Sequence, residues 1–234
     1  MKKLFALALM ICLVCAIALS ATAESKKDVS ITFRGINWGI PVTQIDSKMP
    51  EGVRLYAPEV SDGFRSVEYF LYDGNDDYYK GAVGYSVQAR SSSLENMKVA
   101  GYEVSSMYMY FACVPGSDGL PTGNQEDSAF YAAYYKLEPK DADAAYDDLV
   151  TKLTGLYGDV FATYEKSPYI SYKYTVWKGA DGSMVSLEKE DYPSGSHYIY
   201  IKYAAGNGEE LLKNAYQALV LQESHDAASN TDGL

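Results

Sequence analysis

The sequence predicts an α+β fold, a mostly antiparallel sheet packed against two longer helices and one short N-terminal helix. Three observations lead there. Runs of β-branched and aromatic residues repeat with a period of two and are separated by tight turn sequences, as hairpins require. Two long stretches, residues 141–157 and 207–220, instead carry apolar residues at spacings of three and four, the stripe of an amphipathic helix. The strand–helix–strand alternation of a parallel nucleotide-binding sheet is missing.

Taken in order, residues 29–33 (VSITF) alternate and read as a first strand. A glycine-punctuated turn, residues 34–39, leads into a short helix over 41–49, with Pro41 in its first turn and Val42, Ile45 and Met49 on one stripe. Strands are expected near 53–56, 66–72 and 82–88, with Asp73-Gly74-Asn75-Asp76-Asp77 as a hairpin turn. Residues 104–114 place Met107, Met109, Phe111 and Cys113 on one face and Tyr108 and Tyr110 on the other. A Gly/Pro/Asp loop separates them from a strand over 129–137. The helix over 141–157 buries Tyr146, Leu149, Val150, Leu153, Leu156 and Tyr157, with Asp141 as its cap and Gly158 as its stop. Strands follow at 169–177, 184–188 and 198–203. The last helix starts at Asn207, with Glu210 three residues on as in a capping box, and buries Leu211, Leu212, Ala215, Tyr216, Leu219 and Val220.

The ends differ from this body. Met1-Lys2-Lys3, an apolar run to Leu19 and the small residues Ala21-Thr22-Ala23 form a signal peptide over 1–23. The run is too short for a spanning helix, so the membrane is expected only as an export route. Residues 24–223 form a single domain, the alternative being a diverged duplication with a boundary near 91–101, for which no clean repeat is visible. Residues 224–234 are small and polar and read as a disordered tail. The expected location is therefore secreted or extracytoplasmic, at the cell envelope.

Charge and cysteine content narrow the function. Acids outnumber bases 31 to 20, for a net charge of −11, and loss of Lys2 and Lys3 with the leader leaves −13. Such a body repels phosphate backbones, so nucleic acid is excluded as a partner. Cys12 and Cys15 lie in the leader, and Val14 occupies the place where lipoprotein processing needs a small residue. Cys113 is left alone, so no internal disulfide forms and the core must hold the domain together.

No catalytic constellation emerges. The histidines are His197 and His225, the second in the tail, and no nucleophile elbow accompanies them. Cys113 sits on an apolar strand face, which favours the unreactive thiol. No Cys/His cluster suits zinc. Asp73, Asn75 and Asp77 start a calcium-loop spacing, but Tyr78 stands where the loop needs glycine and Gly84 where it needs Glu, so a solvated turn is expected. No metal site and no cofactor are expected.

Tyrosine is the positive signal: 23 of them, all beyond the leader. In the strands after residue 168, Ile170, Tyr172, Tyr174, Val176, Val185, Leu187, Ile199, Ile201 and Tyr203 are expected to face the two long helices. Tyr169, Lys173, Trp177, Met184, Glu188, Tyr198, Tyr200 and Lys202 then form the opposite face, mixing aromatics with charge as recognition surfaces do. Tyr169, Trp177, Tyr198 and Tyr200 are the expected ligand-binding residues.

Four stretches carry a resemblance: Phe33-Arg34-Gly35-Ile36-Asn37-Trp38-Gly39, Ala100-Gly101-Tyr102-Glu103-Val104-Ser105-Ser106, Leu153-Thr154-Gly155-Leu156-Tyr157-Gly158 and Gly208-Glu209-Glu210-Leu211-Leu212. Together they resemble exported proteins of gut-type Gram-positive bacteria to which no activity is assigned, so the resemblance implies no catalytic residue. A looser, architectural likeness is to β-lactamase-inhibitor-like secreted domains, resting on the Trp38-Gly39 turn before a helix. The expected function is that of a non-enzymatic binding module, secreted or envelope-associated, using a tyrosine-rich sheet face. Its partner would be an envelope component, protein or glycan. The alternative is a secreted, glycan-directed hydrolase whose Asp/Glu pair the sequence does not single out.

Overall fold

The computed structural model describes residues 29–167 and 169–231. The leader and residues 232–234 of the expected tail lie outside the described residues. Nine strands dominate: β1 (Glu59–Arg65), β2 (Tyr78–Gln88), β3 (Lys98–Val99), β4 (Tyr102–Cys113), β5 (Ser128–Leu137), β6 (Ala162–Lys166), β7 (Ser171–Lys178), β8 (Met184–Asp191) and β9 (His197–Ala204). They pair antiparallel in the order β1-β2-β4-β5-β9-β8-β7-β6, with β3 beside β4. Among the described residues three α-helices accompany them: α1 (Val67–Tyr72), α2 (Ala142–Tyr157) and α3 (Gly208–Thr231). The fold is thus mixed, as the sequence predicts, with the sheet its largest part.

The strand order is that of two meanders, β1-β2-β4-β5 and β6-β7-β8-β9, joined edge to edge at β5 and β9. A helix follows each meander, α2 after the first and α3 after the second. The division between them falls in residues 158–161.

The two faces of the sheet carry separate cores. On the inner face, Met107, Met109, Phe111, Phe130, Leu187, Ile199 and Ile201 pack with Tyr146, Leu149 and Leu153 of α2 and with Ile31, Phe33 and Val42 of the N-terminal segment. On the outer face, Ala112, Tyr131, Ala132 and Ala204 pack with Val67 and Leu71 of α1 and Leu212 and Ala215 of α3. Small residues let the helices approach the strands closely there. The sequence reading put both long helices on one face, whereas these clusters place them on opposite faces.

Helix ends follow local chemistry. The Asp141 carboxylate accepts from Ala144 N at 3.0 Å and caps α2. Gly158, at φ +86°, ends the helix in a conformation that side chains resist, and its N–H bonds to Thr154 O.

Several local expectations change. Residues 66–72, read as a strand, include α1: Ser66 caps it by accepting from Tyr69 N, and Asp73 ends it in the left-handed region at φ +55°. Val67 and Leu71, four apart, form its buried stripe. Residues 73–77 therefore link a helix to β2 and are not a hairpin turn. Residues 41–49 form two 3-10 turns, Val42–Gln44 and Asp46–Lys48, in place of one helix. Residues 29–33 join no strand ladder. Ile31 N donates instead to Ser183 Oγ, and Trp38 Nε1 donates to Ile31 O. Residues 224–231, read as part of a disordered tail, continue α3.

Candidate functional site

Backbone register turns the outer face into a lattice of side chains, because directly paired residues share a face. One row reads Tyr172, Glu190, Tyr198 across β7, β8 and β9. The next reads Tyr174, Glu188, Tyr200, Lys136 across β7, β8, β9 and β5. A third reads Ser186, Lys202, Tyr134, Tyr108 across β8, β9, β5 and β4. Helix α1 lies over part of this lattice, its Phe70 ring 5.7 Å from Tyr110 and 6.3 Å from Tyr134. Tyr108, Tyr134, Tyr172, Tyr198, Tyr200 and Glu190 are left half-buried.

The aromatic rings touch in series. Tyr108 stacks on Tyr134 at 5.1 Å, and Tyr134 meets Tyr200 edge-on at 5.7 Å. Tyr192 meets Tyr198 at 5.6 Å, and Lys136 Nζ stands 3.6 Å over the Tyr198 ring. Such a series offers rigid, amphipathic contact area.

Charge sits inside it. Glu188 is 2 % exposed and forms an ion pair with Lys202, although Oε2 accepts no hydrogen bond in that geometry. Two residues along, Glu190 accepts from the Tyr192 hydroxyl at 3.0 Å. Burial, then the charge of Glu188, raises the Glu190 carboxyl above its ordinary range. Burial, then the bond to Glu190, pushes the Tyr192 phenol up to about 12. Burial likewise raises Tyr134 and Tyr200, so these phenols stay neutral and able to donate.

Beside this patch, under α1, lies a pocket of about 400 Å³. Phe64, Phe70, Tyr110 and Tyr131 wall it, and Arg65 and Lys202 supply its charge. Two register breaks shape it. The β1–β2 ladder slips between Ser61 and Gly63, and the β4–β5 ladder slips so that Tyr131 is the extra residue opposite Tyr110 and Phe111. A bulge of this kind re-aims a side chain, and Tyr131 turns into the outer core. Gly84 makes room for Phe64: a Cβ there would stand 2.7 Å from Phe64 Cε2 and 2.1 Å from Phe111 O.

The residues expected from sequence fare differently. Tyr198 and Tyr200 lie two apart on β9 within the patch. Tyr169, 84 % exposed, precedes β7 beside a separate hollow lined by Lys166 and Tyr172. Trp177 is corrected: it is 0 % exposed and faces α2, its Nε1 donating to Thr154 Oγ1 at 3.3 Å. The β7–β8 register pairs it with Val185, an inner-face residue, so the phase of β7 differs by one from the expected phase and that strand's faces are exchanged. Lys173 moves with it, its Nζ 4.9 Å over the Tyr146 ring of α2.

Other candidates resolve simply. Asp73 is paired with Lys166 and Asp76 with Arg65, while Asn75 Nδ2 donates to Asp77 Oδ2 at 2.8 Å, so local partners occupy the calcium-like turn. Among the described residues, no group of three or more His, Cys, Asp or Glu is arranged to hold a metal. His197 Nδ1 lies 2.7 Å from Asp191 Oδ1 at the surface. Burial raises the Cys113 thiol, away from the reactive form. Among the described residues no helix is long and apolar enough to cross a membrane.

Tyr134, Tyr108, Glu190 and the pocket were not picked out from sequence. One signal was present, since Tyr108 and Tyr110 alternate with the buried Met107, Met109 and Phe111. No family model, no curated protein and no solved structure matches this chain.

Proposed function

We propose that this chain is an extracytoplasmic binding module, non-enzymatic, that captures an envelope component, protein or glycan, on the outer face of its sheet. One observation carries the reading: Tyr108, Tyr134 and Tyr200 form a contiguous, half-buried aromatic series on one face, running on into Glu190 and Tyr198. Half-buried tyrosines held by their neighbours present ring faces and hydroxyls with little entropy left to lose on binding. The charge of −11 and the leader-like N-terminus are consistent with work at the envelope.

The test is a Tyr134→Ala, Tyr200→Ala double variant, assayed for co-sedimentation with isolated envelope polymers and for binding to purified envelope proteins. The reading expects capture by the parent protein and at least tenfold weaker capture by the variant, with an unchanged circular dichroism spectrum. Equal capture by both proteins removes the site. No capture by either removes the function.

A glycan-directed hydrolase has one supporting observation, the carboxylate pair Glu188 and Glu190 with Glu190 raised as a general acid requires. Against it, Glu188 is 2 % exposed and locked to Lys202, so it presents no oxygen to a scissile bond.

A further inference from the structure

The pocket under α1 departs from the character of the chain. Acids outnumber bases 31 to 20 overall, yet the charged side chains that line this pocket among the described residues are both basic, Arg65 and Lys202. Each cation has one carboxylate partner. Arg65 meets Asp76 through Nη1, and both side chains are 47 % exposed, so the pair is weakly held. Both Asp76 contacts fall on Nη1, and the guanidinium lies over the Tyr69 ring at 4.4 Å; a guanidinium has five N–H donors, more than Asp76 engages. Lys202 Nζ is ion-paired with one oxygen of Glu188, and an ammonium carries three N–H donors, so one contact does not use all of them.

The walls specify the rest of the ligand. Phe64, Phe70, Tyr110 and Tyr131 meet edge to face at 5.7–6.0 Å. Rings set this way leave flat faces for another ring. A volume of about 400 Å³ admits one substituted ring and lies at the small end of ligand sites. Charge sets valence. Buried Glu188 stands against Lys202, and Asp76, as exposed as Arg65, stands against Arg65. With a carboxylate beside each of these described cations, the pocket has no charge surplus for a phosphate dianion and suits a monoanion better.

We infer that the pocket binds a monocarboxylate carried on a six-membered ring, its ring against the aromatic walls and its carboxylate on Arg65 and Lys202. The inference rests on the binding-module reading above and names the ligand chemistry. An acidic sugar and an aromatic acid share that chemistry, so the test separates them. Titration calorimetry on the full mature chain uses glucuronate and phenylacetate, with glucose, 2-phenylethanol and inorganic phosphate as counterparts. Saturable binding of either carboxylate, at least tenfold tighter than its neutral counterpart and than phosphate, is the expected result. The arm that binds identifies the source as sugar or aromatic. Arg65→Gln should weaken it at least tenfold without moving the thermal midpoint, and Ser86→Trp, which fills the cavity from β2, should abolish it. Binding of neither carboxylate, equal binding of a neutral counterpart or of phosphate, or unchanged affinity in Arg65→Gln overturns the inference. Envelope capture through Tyr134 and Tyr200 with no carboxylate binding defeats the pocket and leaves the module reading standing. Carboxylate binding with no envelope capture does the reverse.

Discussion

Replacing Lys202 with Gln tests how the charged part of the outer face is held. Glu188 is the buried member, its side chain 3 % exposed, and Lys202, at 16 %, is the cation paired with it. They sit diagonally across β8 and β9, with Tyr200 directly opposite Glu188. Tyr174 lies directly opposite Glu188 on β7, but a neutral phenol cannot balance a carboxylate charge. Removing one partner of a buried pair costs about 3–5 kcal/mol, and the partial exposure of Lys202 points to the lower end, about 3 kcal/mol. That is a large share of a domain's stability of about 5–15 kcal/mol. With a urea m-value of about 1–3 kcal/mol/M, the unfolding midpoint at pH 7.5 drops by at least about 1 M. Glu188→Gln alone costs less, because the longer Lys202 chain can reach water. The double variant carries no unpaired charge and returns to within about 1 kcal/mol of the parent, giving a coupling of at least about 2 kcal/mol. A Lys202→Gln loss under about 1 kcal/mol, or a double variant equal to the sum of the singles, refutes this account of the pair.

Trp177→Ala removes a fully buried indole from beneath α2 and should cost about 3–5 kcal/mol in chemical denaturation. Tyr169→Ala, at 84 % exposure, should stay within about 0.5 kcal/mol, and equal losses at the two positions contradict the observed phase of β7. Glu190 supplies a pH test. Its folded pKa lies above the unfolded value near 4.5, so its favourable contribution is present below that value and is lost as pH rises through the folded pKa. Glu190→Gln should therefore gain stability relative to the parent across that window and hold the gain at neutral pH. A stability difference that stays flat from pH 4 to pH 7 counts against the burial of this carboxyl.

What the sequence revealed tracks how strongly each segment is patterned. The helix α2 was legible to its cap, since Asp141, the stripe of Tyr146, Leu149 and Leu153, and Gly158 agree with one another. Strands β4 and β5 were legible because methionine and phenylalanine alternate with tyrosine or run unbroken. The segment VEYFLY was not, because a six-residue apolar run fits either period, and the serine that caps it precedes the run. Strand β6 was missed because its burial follows no alternation: Ala162 is half-buried and the four residues after it are exposed. The phase of β7 was lost for a further reason. Large aromatics occur on both of its faces, Tyr172 and Tyr174 on one and Trp177 on the other, so hydrophobicity alone cannot orient it. The pocket was beyond reach because register slips between strands distant in sequence create it.

The use of tyrosine where phenylalanine would pack as well follows from the two-sided sheet. The inner face is closed by α2 and the N-terminal segment and holds residues such as Met109, Phe111, Leu187 and Ile201 with no polar atom to satisfy. The outer face is closed only where α1 and α3 reach, and its open rows need area that stays soluble without a lid. Phenylalanine at positions 108, 134, 172, 198 and 200 would leave a contiguous apolar patch, an aggregation liability. Tyrosine keeps the stacking and adds a hydroxyl that water or a ligand can satisfy. Burial raises the phenols of Tyr134 and Tyr200, so the series adds no charge beside Glu188 and Glu190 at any physiological pH. On the proposed reading, an uncharged, donor-bearing aromatic surface would select ligands by shape and hydrogen bonding, not by bulk electrostatic attraction.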